Sequence, residues 1–105
     1  MNANELMLGD WVKYHGVPVR VVEISEKSVG FMSGGAYDID KPENLMPIPL
    51  TPEILEKNGF SRNGLDIALF DRKGGDDFVG ASNLQYVHEL QHALRLCGIE
   101  KEIVL

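Results

Sequence analysis

Residues 88–92 read His88-Glu89-Leu90-Gln91-His92. This matches H-E-x-x-H, the pattern by which metal-dependent proteases hold zinc. Histidines four apart on a helix stand about 5–6 Å apart at Cβ and can share one ion. The glutamate between them can act as general base toward a zinc-bound water. A hydrolase using His88 and His92 as metal ligands and Glu89 as catalytic base is therefore one expectation. With 3 His among 105 residues, composition alone produces the pattern roughly 0.007 times per chain.

An open catalytic zinc needs a third protein ligand. The longer protease pattern asks for Gly six residues after the first histidine and His ten after, and here those positions hold Leu94 and Gly98. Glu100 and Glu102 follow in a seven-residue stretch too short for a backing helix. His15 and Asp71 are the upstream candidates. On a helical wheel, Val87, Leu90, Leu94 and Cys97 form one apolar stripe, widened by Tyr86 and Ala93. His88 and His92 fall on the polar side with Gln85 and Arg95. The competing expectation is thus two solvated histidines, Glu89 exposed beside them, and Cys97 as a small buried hydrophobe.

Other constellations are smaller. Asp76-Asp77 after two glycines lacks the spacing of a calcium loop and reads as a solvated turn. Asp38 and Asp40 alternate on one strand face, as paired carboxylates or as that strand's polar side. Trp11 and Tyr14 can form an aromatic platform for a ligand, and the competing expectation is that the lone tryptophan belongs to the core. Gly34-Gly35 is no phosphate loop, because neither a helix start nor a lysine follows.

The elements that position these residues follow from period and punctuation. Residues 10–14 read as a strand, followed by a His15-Gly16 turn. Val17–Ile24 is a longer strand with Val19 and Val21 on one face. The phase then slips, placing Val22 and Ile24 on the other, which is the mark of a bulge. Val29 and Phe31 alternate, Gly34-Gly35 suits a two-residue hairpin, and Tyr37 and Ile39 alternate in a fourth strand. Residues 40–44 are loop. Residues 45–50 are extended, and Pro47 and Pro49 favour an edge. The expected form is a small curved antiparallel sheet or an SH3-like barrel.

The second half changes period. Thr51 is an N-cap, Pro52 takes the first helical position and Glu53 faces the positive end of the dipole. Asn58-Gly59 stops this short helix, and Phe60 packs back on Leu55. Leu65, Ile67 and Leu69 alternate in a strand. Residues 73–77 form a hairpin turn, and Phe78 and Val79 begin the return. Ser82 and Gln85 have capping-box spacing for the longest helix, about 83–97, which Gly98 stops. Residues 103–105 are a candidate terminal strand. The expected core includes Val21, Phe31, Ile54, Leu55, Phe60, Leu69, Val87, Leu90 and Leu94.

The chain thus reads as one α+β domain over 1–105, with a β-rich half (1–50) and an α+β half (51–105). Hydrophobic residues make up 44% and charged residues 25%, the balance of a folded chain. Net charge is −6, divided as −3 in each half. No basic footprint for duplex binding stands out, which counts against nucleic acid as a partner. One cysteine rules out an intrachain disulfide. No secretory signal and no run of about 18 apolar residues is visible, so the expectation is a cytoplasmic protein without a membrane partner.

Three stretches together carry a resemblance. They are Asn4-Glu5-Leu6-Met7-Leu8-Gly9-Asp10-Trp11-Val12, then Pro47-Ile48-Pro49-Leu50-Thr51-Pro52-Glu53-Ile54-Leu55-Glu56-Lys57-Asn58-Gly59-Phe60, then Tyr86-Val87-His88-Glu89-Leu90-Gln91-His92-Ala93-Leu94. Over nearly its full length the chain resembles a group of small uncharacterised proteins of gut anaerobic bacteria, their prophages and other mobile elements. The opening is more loosely similar to the first strands of SH3-like barrels. The resemblance implies a bacterial intracellular setting and an accessory role, and it carries no site residues over.

The leading expectation is a small interaction or accessory module without catalysis or cofactor. Its partner would be another protein, and self-association is compatible with it. The rivals are the hydrolase on His88, Glu89 and His92, and an acidic inhibitor that mimics nucleic acid.

Overall fold

The computed structural model describes residues 1–63, 66–70, 76–79 and 84–105, with the backbone alone at 61, 63, 66–70 and 76–79. It has the expected α+β architecture, in two compact units, Met1–Ile48 and Pro49–Leu105.

The first unit is a five-stranded antiparallel sheet. Its strands are β1 (Trp11–Tyr14), β2 (Val17–Ile24), β3 (Val29–Ser33), β4 (Ala36–Asp40) and β5 (Leu45–Pro47). Their order is β4-β3-β2-β1-β5, so β4 and β5 are the two edges and the sheet is not a closed barrel. Of the two forms expected, the open sheet is the one present. Pro47 sits on the edge strand, where a missing N–H costs no ladder bond.

Local chemistry explains the connections. His15-Gly16 and Gly34-Gly35 have positive φ at both positions, as the two-residue hairpin turn requires. The slip in β2 is a bulge. Val21 faces Phe31, yet Glu23 faces Gly30, so Val22 is the extra residue. One expectation changes here. The inserted residue turns Val22 outward and returns Ile24 to the core side, where it faces Val29. Leu6, Val12, Val19, Val21, Val29, Phe31 and Leu45 form the core of this unit. The stretch read as loop at 40–44 contains a 3-10 turn, Pro42–Asn44.

In the second unit, α1 (Pro52–Lys57) starts as its sequence dictates. The Thr51 hydroxyl accepts the Ile54 N–H at 3.3 Å and Pro52 opens the first turn. Then come β6 (Phe60–Asn63), β7 (Asp66–Phe70) and β8 (Asp76–Val79), paired antiparallel in that order. The sequence reading had no strand at β6, because four residues with three polar side chains show no period. It also placed Asp76 and Asp77 in a turn. They are strand residues of β8, facing Phe70 and Leu69. Leu65, Asp71, Lys73, Gly74, Gly75, Ser82 and Asn83 lie outside the described residues, as does the Leu69 side chain.

The last helix, α2 (Val87–Leu96), begins four residues later than the Ser82 spacing suggested. Residues 84–86 are engaged otherwise. Pro49 bridges Tyr86, and the Leu50 N–H bonds to the Gln85 carbonyl at 2.9 Å. α2 ends as expected. Gly98 is left-handed, and the Gly98 and Ile99 amides bond back to the Arg95 and Leu94 carbonyls.

Of the expected core, Val21, Phe31, Leu55, Phe60, Val87, Leu90 and Leu94 are buried. Ile54 is half-buried. Residues 103–105 form no strand. Among the described residues, no helix is long and apolar enough to cross a membrane.

Candidate functional site

The geometry of α2 decides what its histidines can do. Its buried positions are Val87, His88, Leu90, Gln91, Ala93 and Leu94. At 100° per residue these cover an arc of about 220°, far wider than the apolar stripe of the wheel. His88 was expected on the solvated side and is instead only 6% exposed, as is Gln91. His92 and Glu89 are half-buried. Polar side chains near the edge of a stripe join the buried face when the surface they pack on is broad, and a wheel drawn from apolar residues cannot register this. Cys97, expected in the core, is exposed. It lies at the C-cap, beyond the last full turn, where helical phase no longer applies.

The His88 and His92 rings stand edge to face with centroids 5.6 Å apart, and Tyr86 stacks on His88 at 5.9 Å. Glu89 is turned toward the helix start. One carboxylate oxygen accepts the backbone N–H of Gln85 at 2.9 Å and of Tyr86 at 3.0 Å. This is the glutamate half of a capping box, satisfying donors just ahead of the first turn. The sequence reading assigned the cap to Ser82 and Gln85, and left Glu89 as base or bystander. Its i to i+3 relation to Tyr86 was the available signal. Among the described residues, no three His, Cys, Asp or Glu side chains are grouped closely enough to hold a metal ion. Glu100 and Glu102 are exposed, and His15 lies in the β1–β2 turn against the Tyr14 ring, centroids 4.2 Å apart.

The first unit holds a second cluster. The Tyr14 hydroxyl donates to Asp40 at 2.6 Å. The other Asp40 oxygen accepts from Asn44 Nδ2 at 2.8 Å and from the Lys41 N–H at 2.7 Å. β1 and β4 are not neighbours in the sheet, so this bond spans β2 and β3 to join two unpaired strands. The tyrosine hydrogen bond, then Asn44 and Lys41, hold the Asp40 carboxyl down at about 2. The same bond to Asp40 pushes Tyr14 up to about 12. A phenol so hard to ionise is a clasp rather than an acid or base for chemistry near neutrality. Asp38, which the alternation offers either as a partner of Asp40 or as part of the strand's polar face, is exposed and accepts the Ile39 N–H at 2.8 Å.

The aromatic platform of Trp11 and Tyr14 does not form. Three residues apart on one strand, they face opposite sides of the sheet. Tyr14 meets Phe31 at 4.7 Å between centroids, and Trp11 lies under the Arg20 guanidinium at 5.4 Å.

Two residues were missed. Asp10, fully buried, accepts the Met7 N–H at 2.8 Å and fixes the turn entering β1, which the Gly9-Asp10 pair hinted at. Asn58, read only as a helix stop, grips the backbone of Val104, and no local signal announces a partner 46 residues away.

No family model, curated protein or solved structure matches this chain.

Proposed function

We propose that the protein is a small accessory module that works by binding another protein and performs no catalysis, in the bacterial and mobile-element setting its sequence resemblance implies. The observation that supports this reading is the employment of Glu89. The one residue the hydrolase alternative needs as base has its carboxylate engaged by two backbone N–H groups at the start of α2. Those two bonds to one oxygen orient the side chain toward the helix start, which is the work of a cap.

The test is zinc stoichiometry by elemental analysis on untagged protein, paired with hydrolysis of a peptide library by wild type and Glu89→Gln. The expected result is no stoichiometric zinc and no hydrolysis. Glu89→Gln should leave stability nearly unchanged, because an amide oxygen can accept the same two N–H bonds. Glu89→Ala, which removes the acceptor, should lower it by about 0.5–2 kcal/mol, the usual range for a lost cap. One firmly held zinc per chain, with hydrolysis that vanishes in Glu89→Gln, overturns the reading in favour of the hydrolase.

A further inference from the structure

The segment after α2 is held in an unusual way. Beyond Gly98 it has no regular secondary structure, yet Ile103 is 2% exposed. Asn58, itself buried at the end of α1, uses its whole side-chain amide. Nδ2 donates to the Ile54 carbonyl at 2.8 Å and to the Val104 carbonyl at 2.7 Å. Oδ1 accepts the Val104 N–H at 2.7 Å. One side chain therefore reads both backbone groups of one residue, as a neighbouring strand would. Lys57 Nζ donates to the Leu105 carbonyl at 2.6 Å, and the Lys101 ammonium lies 5.9 Å from the Phe60 ring centroid. The side chains of Glu100, Lys101, Glu102 and Val104 are exposed.

A backbone clamp beside one apolar anchor is the logic by which proteins bind extended peptides. Main-chain bonds give sequence-tolerant hold, and the anchor's pocket selects. We propose that residues 99–105 form a displaceable strap lying in a seat for extended peptides, and that the module's partner offers an extended segment with a branched apolar side chain in the place of Ile103. The inference rests on the interaction-module reading and names the kind of partner. In cis the strap competes at an effective concentration of about millimolar, so an incoming peptide binds well only where the strap is weakened or the peptide is abundant.

The probe is a labelled peptide with the sequence of residues 99–105, titrated by fluorescence anisotropy into full-length protein. Ile103→Ala weakens the internal strap and leaves the seat intact. That chain is expected to bind the peptide about ten-fold more tightly than wild type does, with the gain lost when Asn58→Ala is added. In wild type, the Val104 amide is expected to exchange its hydrogen about 100-fold faster than the Leu94 amide, by local opening insensitive to low urea. No binding to Ile103→Ala overturns the proposal, as does binding that survives Asn58→Ala. So does an Ile103→Ala chain that loses its fold, or a Val104 amide that exchanges only with global unfolding. A negative titration leaves Glu89's capping role, and the module reading, standing. Zinc-dependent hydrolysis would remove that reading whatever the titration shows.

Discussion

Gly30 has a side-chain neighbour in place of its own. On the adjacent strand, Tyr37 lies across it, so a Cβ at position 30 would sit 2.6 Å from the Tyr37 hydroxyl oxygen and 2.9 Å from a ring carbon. An aromatic ring laid over a strand glycine covers backbone that would otherwise be bare. It also accounts for a tyrosine that is half exposed at the sheet edge. Gly30→Ala should therefore destabilise by about 1 kcal/mol, at the low end for overpacking because a tyrosine can swing aside. In a Tyr37→Ala background the clash is gone, and alanine's stiffer unfolded chain should make the same change neutral or stabilising. Equal effects in both backgrounds, measured by urea unfolding, would refute the coupling.

The Tyr14–Asp40 bond makes a prediction in pH. Asp40 is held at about 2, below its ordinary value, so its contribution is full above that ordinary value and fades as pH falls through about 2. Tyr14 is raised to about 12, so its contribution is full below the ordinary phenol value and fades as pH rises through about 12. The gap in thermal midpoint between wild type and Asp40→Asn should be widest across the neutral range and narrow at both ends. A gap that does not close toward pH 2 would show that the clasp is not what the aspartate contributes.

At the scale of elements, α2 combines a legible end with a misplaced beginning. Gly98 announces its own stop, because a left-handed residue there lets two amides return to the last turn. The start is contested, since Ser82 and Glu89 both offer capping chemistry at proper spacing. Gln85 and Tyr86 are drawn into extended pairing with Leu50 and Pro49, and that leaves Glu89 to cap. Once formed, the helix buries Leu90 completely. Leu90→Ala should cost roughly 2–5 kcal/mol in a urea melt, with the exact cost set by how far the site collapses. A midpoint unchanged within error would mean that Leu90 is not packed as described.

At the scale of the whole chain, the sequence's change of period near residue 50 and the division of the structure after Ile48 fall within two residues of each other. Period 2 builds the sheet of the first unit, whose core comes from its strands and Leu6, and the second unit combines α1 and α2 with the β6–β8 sheet. The net charge of −6 is shared evenly between the halves of the sequence. A polyanion approaching either half therefore meets net like charge.

The sequence by itself determined the turns at 15–16 and 34–35, the bulge in β2, the Thr51 cap, the Gly98 stop and the burial of Val21, Phe31, Leu55, Phe60, Val87, Leu90 and Leu94. Each depends on neighbours a few residues apart, where backbone sterics and side-chain period act without outside help. Only the tertiary structure decided that His88 is buried, that Trp11 and Tyr14 part company, that Tyr14 clasps Asp40 and that Asn58 holds Val104. Those contacts join residues far apart in the chain or turn on which surface a helix meets. Register and docking are set by the summed packing of whole elements, and no local pattern of residues encodes that sum.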